Sequence, residues 1–174
     1  MTDGTIIQCD VPRTSSLRSQ LLYADKVKHQ GVLGIDLTTP LGLCFLSLPL
    51  YGGKCSEKRY MQVHRSWFDI IPGGFGRLVD KGFSKTGLFY KNRNRAFVPA
   101  FVRAVKGNLT AHESANSYKQ SSDRYTCETY FARVKKAFGL NGQLSLKKMR
   151  YLESAWLVSH YQANLMRPLR YPKV

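Results

Sequence analysis

A carboxylate at the end of an apolar strand is the feature that most limits what this chain can fold into. In Arg77-Leu78-Val79-Asp80-Lys81-Gly82-Phe83, two apolar residues lead directly to an acid, and a glycine then turns the backbone away. The pattern predicts a short buried strand that stops on Asp80 at the rim of a sheet. Ligand and metal sites of α/β sheets lie at such carboxyl ends, where an acid can face a cation while its strand stays dry. Asp and Gly are also ordinary turn residues, so by itself the stretch is compatible with a plain turn. Two further acids, Asp3 and Glu128, give the first reading its weight.

The remaining chain reads as scaffold for these acids. Asp3-Gly4-Thr5-Ile6-Ile7 comes almost at once, and Gln8 to Arg18, with Pro12 and several Ser/Thr, predicts a loop. Val32–Leu37 and Leu43–Leu48 predict two strands around the turn Thr39-Pro40-Leu41-Gly42. Their nearly continuous apolar character predicts a hairpin covered on both faces. After Tyr51-Gly52-Gly53, Ser56 is placed to cap a helix whose buried face is Met61, His64, Phe68 and Ile71. Pro72-Gly73-Gly74 ends it and leads into the Asp80 strand. A short helix around Lys85–Tyr90 and a strand over Ala96–Phe101 follow, the latter pushed to a sheet edge by Pro99. A long helix is predicted from near Ser114 to Phe138, with Cys127, Phe131, Val134 and Phe138 as its apolar stripe. Glu128 lies about 100° round from Cys127, at the border of that stripe. A final helix carries Met149, Leu152, Trp156, Leu157, Tyr161 and Leu165. No repeat or second domain is visible, so residues 1–174 read as one domain.

Charge points to the partner. With 27 Lys+Arg against 11 Asp+Glu, the net charge is +16. Such an excess favours a polyanion, because each phosphate contact releases counterions. Solubility alone is served at least as well by acids. Nucleic acid is therefore the expected partner, ahead of an anionic membrane. No apolar run approaches the roughly 20 residues that span a bilayer, and no signal peptide opens the chain, so secretion is not expected. Cys9, Cys44, Cys55 and Cys127 lack C-x-x-C spacing, which argues against a zinc knuckle or redox motif. Cys44 and Cys127 read as small buried hydrophobes in a reducing compartment. The four histidines are widely spaced, which gives a histidine-based metal site little support.

Four stretches carry a family resemblance. Asp3-Gly4-Thr5 resembles the first acidic motif of the DDE nuclease domain of cut-and-paste transposases, the Harbinger-type group in particular. Tyr51-Gly52-Gly53 with Ser56-Glu57-Lys58 resembles that group's lead into its first helix. Val79-Asp80-Lys81-Gly82-Phe83 is similar to its second motif, usually Ala-Asp-Arg-Gly-Phe. Arg124 to Lys135 resembles its third: an Arg, a Glu four residues on, then a basic helix. The likeness runs from Asp3 to about Leu140, with 77 residues from Asp3 to Asp80 and 48 from Asp80 to Glu128.

The resemblance implies an α/β, RNase H-like mixed sheet in spatial order 3-2-1-4-5, flanked by helices. The hairpin would supply strands 2 and 3, the Asp80 strand would be strand 4, and the Pro99 strand would be the edge strand 5. It also implies Asp3, Asp80 and Glu128 as catalytic and metal-binding triad, two Mg²⁺ or Mn²⁺ ions, and DNA as substrate, with location in the nucleus of a eukaryotic host. Lys26, Lys28, Arg103, Lys106, Arg133, Lys135 and Lys136 are the expected phosphate contacts. A homo-oligomer or a separate DNA-binding partner protein would compensate for the family's missing DNA-binding domain. Strand 1 of the family lies mostly before its first Asp, so the expectation here is a truncated first strand, improvised from Asp3 to Cys9. The competing readings are a catalytically inactive, transposon-derived DNA-binding module and a basic RNA- or ribosome-associated domain. The latter accounts for the charge but not for the three acids.

Overall fold

The computed structural model describes residues 1–68, 70–72, 74–80, 95–97 and 109–170. The helix expected near Lys85–Tyr90, residues 98–101 of the Pro99 strand, Arg103 and Lys106 lie outside the described residues.

The first element is a strand. β1 (Thr2–Gln8) pairs antiparallel with β3 (His29–Thr38) along its whole length, from Thr2 opposite Leu37 to Gln8 opposite Gly31. The strand expected to be improvised from Asp3 to Cys9 is present as β1, running through Ile6 and Ile7. Its register is set by side-chain alternation, because a one-residue slip would turn Ile7 from core to opposite face.

Between these strands lie α1 (Ser16–Leu22) and β2 (Tyr23–Ala24), the latter pairing with the start of β3. The loop expected to Arg18 thus stops earlier, where the Ser15 hydroxyl accepts from Arg18 N–H and caps α1. None of the seven α1 residues is buried, so no apolar stripe marked it in the sequence. The predicted hairpin is present. β4 (Cys44–Ser47) pairs antiparallel with β3, with an irregularity at Leu37/Thr38. Gly42 turns the chain at φ +80°, a conformation that favours glycine. β5 (Tyr51–Gly52) pairs with the earlier part of β3.

β3 is covered on both faces, and its alternate residues enter two cores. Val32 joins Ile7, Cys9, Tyr130, Phe131, Val134 and Trp156 on one side. Leu33, Ile35 and Leu37 join Leu48, Tyr60, Met61 and Val79 on the other. The second core lies under α2 (Glu57–Val63), capped by the Ser56 hydroxyl as expected. This helix is shorter than its apolar spacing suggested. It stops at His64, a four-residue turn α3 (Arg65–Phe68) follows, and Ile71 lies beyond both. His64 packs against Tyr51 and Tyr60, as a structural histidine.

β6 (Gly76–Leu78) pairs in parallel with β7 (Arg95–Phe97). The pairing does not form one continuous sheet in the expected order. Five strands centre on β3, and among the described residues the β6–β7 pair joins them through a parallel bridge from Thr2 to Val79.

The first core is closed by α4 (Ala111–Ala137) and α5 (Leu152–Leu165), the latter preceded by a 3-10 turn over Leu146–Tyr151. α4 begins three residues before the expected start, where Thr110 and Glu113 form a reciprocal capping box. Cys127, Phe131 and Val134 are buried as predicted. Phe138 is 42% exposed, because it is the residue at which α4 ends and the chain turns through Gly139. No helix among the described residues is long and apolar enough to cross a membrane.

Candidate active site

Three elements meet at the Thr2–Val79 bridge. Asp3 is the second residue of β1, nearly buried, with Oδ1 accepting from the Gly4 N–H at 2.9 Å. Asp80 follows Val79 immediately, so the bridge carries both aspartates to neighbouring strand ends. Arg124 on α4 reaches between them, one guanidinium nitrogen 3.2 Å from Asp80 Oδ1 and another 3.6 Å from Asp3 Oδ2. The Arg124 side chain is only 18% exposed, so this charge network is screened less than a surface pair would be.

Glu128 lies one helical turn beyond Arg124 and is exposed. It lines, with Asp3, Gly4, Lys26 and Arg124, a cleft of about 470 Å³. The structure thus brings Asp3 and Asp80 together on one cation and sets Glu128 at the mouth of the same cleft as Asp3. Among the described residues, these three acids do not draw their oxygens within 4.8 Å of one another.

A fourth carboxylate stands beside them. Glu57 opens α2, and its Oε1 lies so near β1 that a Cβ on Gly4 would approach it to 2.9 Å. Lys26 Nζ sits 3.7 Å from Glu57 Oε1. Asp80, Glu57 and Lys26 line a second cleft of about 370 Å³, which shares Gly4, Ile6 and Lys26 with the first. In the sequence Glu57 was visible only as part of a helix start; its one signal is an acid directly after a cap, following a Gly-Gly pair.

The expected phosphate contacts divide by environment. Lys26 borders both clefts, while Lys28 and Lys136 are exposed. Arg133 donates to the Arg167 carbonyl at 2.8 Å. Lys135 turns inward and donates to the Ile6 carbonyl at 2.7 Å, tying α4 to β1 beside the cleft. Burial lowers the pKa of that ammonium.

Electrostatics make the acids costly without a cation. Burial raises the Asp3 pKa, against the opposing pull of the Gly4 N–H and Arg124. Burial also raises that of Glu57, with Asp3 and Asp80 adding to the rise and Lys26 opposing it. An acid whose folded-state pKa lies above its unfolded value stabilises the fold fully below the unfolded value and loses that contribution as pH rises through the folded one. In chelator, Asp3 and Glu57 therefore make stability decline as pH climbs above the ordinary carboxylate range. Thermal melts of Asp3→Asn and Glu57→Gln are expected to show a shallower decline than the unaltered chain. Identical pH profiles in all three would refute this electrostatic account.

A mixed α/β arrangement thus sets Asp3 and Asp80 at neighbouring strand ends, with Glu128 lining the same cleft as Asp3. A family model described as DDE superfamily endonuclease matches residues 2–160, and the chain belongs to that family. No match was found among curated proteins or among solved structures.

Proposed function

We propose that this chain is the catalytic domain of a Harbinger-type transposase, cutting and joining DNA strands with Asp3, Asp80 and Glu128 and two Mg²⁺ or Mn²⁺ ions. The observation that carries the reading is the single guanidinium of Arg124 paired with two carboxylates from separate strands, Asp3 and Asp80. That arrangement holds positive charge at the strand ends, beside the cleft that Glu128 lines.

The donor set suits the ions named: it is all oxygen, which hard divalent cations prefer to nitrogen or sulfur. When bound, such ions lower the pKa of a water and offset charge on the attacking and leaving oxygens. The protein's own residues orient the reaction. Asp3, pinned by the Gly4 N–H, supplies a fixed carboxylate. Asp80, with a side chain 31% exposed, faces the substrate side. Arg124 balances both acids and carries the planar donor pair that suits phosphate oxygens. Lys26, at the junction of the two clefts, is placed to hold the DNA backbone.

We read β4, β3, β1, β6 and β7 as one RNase H-like sheet in the order 3-2-1-4-5. The Thr2–Val79 bridge supports this, since it sets β6 beside β1 in the parallel sense that order requires. DNA is the substrate, the eukaryotic nucleus the setting, and a second copy or a separate DNA-binding protein the source of end recognition.

One observation favours the inactive, DNA-binding alternative: the three acids are not gathered within 4.8 Å. Nicking of supercoiled plasmid separates the two. Cleavage in Mg²⁺ or Mn²⁺ that stops in chelator is the expected result. Retained DNA binding with no cleavage in either ion would assign the alternative.

A further inference from the structure

A second cluster of metal-binding side chains lies against the first core, beside the active-site strand. Asp36 stands opposite Asp3 in the β1–β3 register, Cys44 opens β4, and His160 lies on α5. One ligand atom from each falls within 4.8 Å of the others; Asp36 and His160 are buried and Cys44 is half-buried. We propose that Asp36, Cys44 and His160 bind one Zn²⁺ ion, separate from the catalytic ions.

Hydrogen bonding around the histidine carries the argument. Tyr130 Oη donates to Asn164 Oδ1 at 3.5 Å and lies 2.8 Å from His160 Nδ1. In the proposed site the hydroxyl directs its proton to Asn164 and accepts from Nδ1, which leaves Nε2 a lone pair for the ion. Metal-ligating histidines are held in this way, by a partner on the other ring nitrogen. Nε2 points at Asp36 Oδ2 from 3.1 Å. They form an ion pair when the ring is protonated, yet neither Asp36 oxygen nor Nε2 meets hydrogen-bond geometry with any group. In a dry core that pair calls for a shared positive charge, supplied by a proton on the ring or by a metal ion that both groups ligate.

The third ligand is equally fixed. Asn164 brackets Cys44, accepting from its N–H at 2.9 Å and donating to its carbonyl at 2.7 Å. Trp156 stands edge-on to His160 at 4.5 Å and closes the surroundings. Ligand atoms of a tetrahedral zinc sit roughly 3.3–3.7 Å apart, so the 3.1 Å Asp36–His160 pair would open slightly as the ligands close on the ion. One carboxylate, one thiolate and one neutral imidazole balance a divalent charge, which suits a buried site. The thiolate selects zinc over the hard ions of the catalytic acids. Three protein ligands leave the fourth position to a water. The site would staple α5 and β4 to β3 beside Asp3.

The test is metal content and cobalt spectroscopy on the full chain. The unaltered protein, prepared with Zn²⁺, is expected to retain about one zinc per chain by elemental analysis. Co²⁺ in place of zinc should give a thiolate-to-metal charge-transfer band. Cys44→Ser should abolish the band and lower zinc affinity at least about tenfold. Cys9→Ser, altering a buried thiol outside the cluster, should keep both, as should Asp80→Asn. A folded, unaltered chain with no retained zinc and no cobalt band would overturn the proposal without recourse to any variant. So would zinc that survives Cys44→Ser but is lost in Asp80→Asn, since it would then belong to the catalytic acids.

Discussion

Replacing Asp80 with asparagine is expected to lower metal-dependent plasmid nicking by about 10³-fold, or roughly 4 kcal/mol of transition-state stabilisation. The substitution keeps the side chain's shape but removes the charge that would hold a hard cation at the end of the strand. It also releases one of the two carboxylates on Arg124, leaving Asp3 as the remaining partner. Because Asp80 lies beyond β6 and is partly exposed, the fold should survive, and circular dichroism should show this. Glu128→Gln should fall by a similar factor. Asp123→Asn is the control: it neutralises an acid next to Arg124 in sequence, but one that pairs with Arg170 at 2.7 Å. Its rate should stay within a few-fold of the unaltered chain. Equal rates for Asp80→Asn and Asp123→Asn would remove Asp80 from the catalytic assignment.

Affinity for DNA should collapse with salt. A chain with 27 basic against 11 acidic residues binds a polyanion largely by releasing counterions. A footprint of about 6–10 phosphates implies a loss of roughly 10³–10⁵ in affinity between 50 and 200 mM salt. Fluorescence anisotropy with duplexes of unrelated sequence should give parallel steep lines. Lys28→Ala or Lys136→Ala, both at exposed positions, should each flatten the log–log slope by about one. Lys135→Ala should act differently, because that ammonium holds the Ile6 carbonyl and its removal loosens α4 from β1. Binding indifferent to salt would show that the basic surface is not the DNA footprint.

Where a property depends on neighbours along the chain, the sequence by itself determined it. The Ser56 cap, the turn at Gly42 and the Cys127–Phe131–Val134 stripe follow from hydroxyls, backbone freedom and helical period, all set within a few residues. The strand ending at Asp80 was legible for the same reason. Tertiary structure decided the rest. α1 buries nothing, so no stripe announced it. β1 exists as a full strand because β3 offers it seven partners, information carried by residues 29–38 and not by Thr2–Gln8. Arg124 was readable as part of a motif, but its position between Asp3 and Asp80 depends on α4 crossing the junction of two sheets. Glu57 enters the same neighbourhood only because α2 packs against the face of β1 opposite to α4. Asp36, Cys44 and His160 have no spacing that a reader could recognise, since 116 residues separate Cys44 from His160. They meet because the hydrophobic core draws α5 onto β3, and burial then leaves their polar atoms facing one another instead of water.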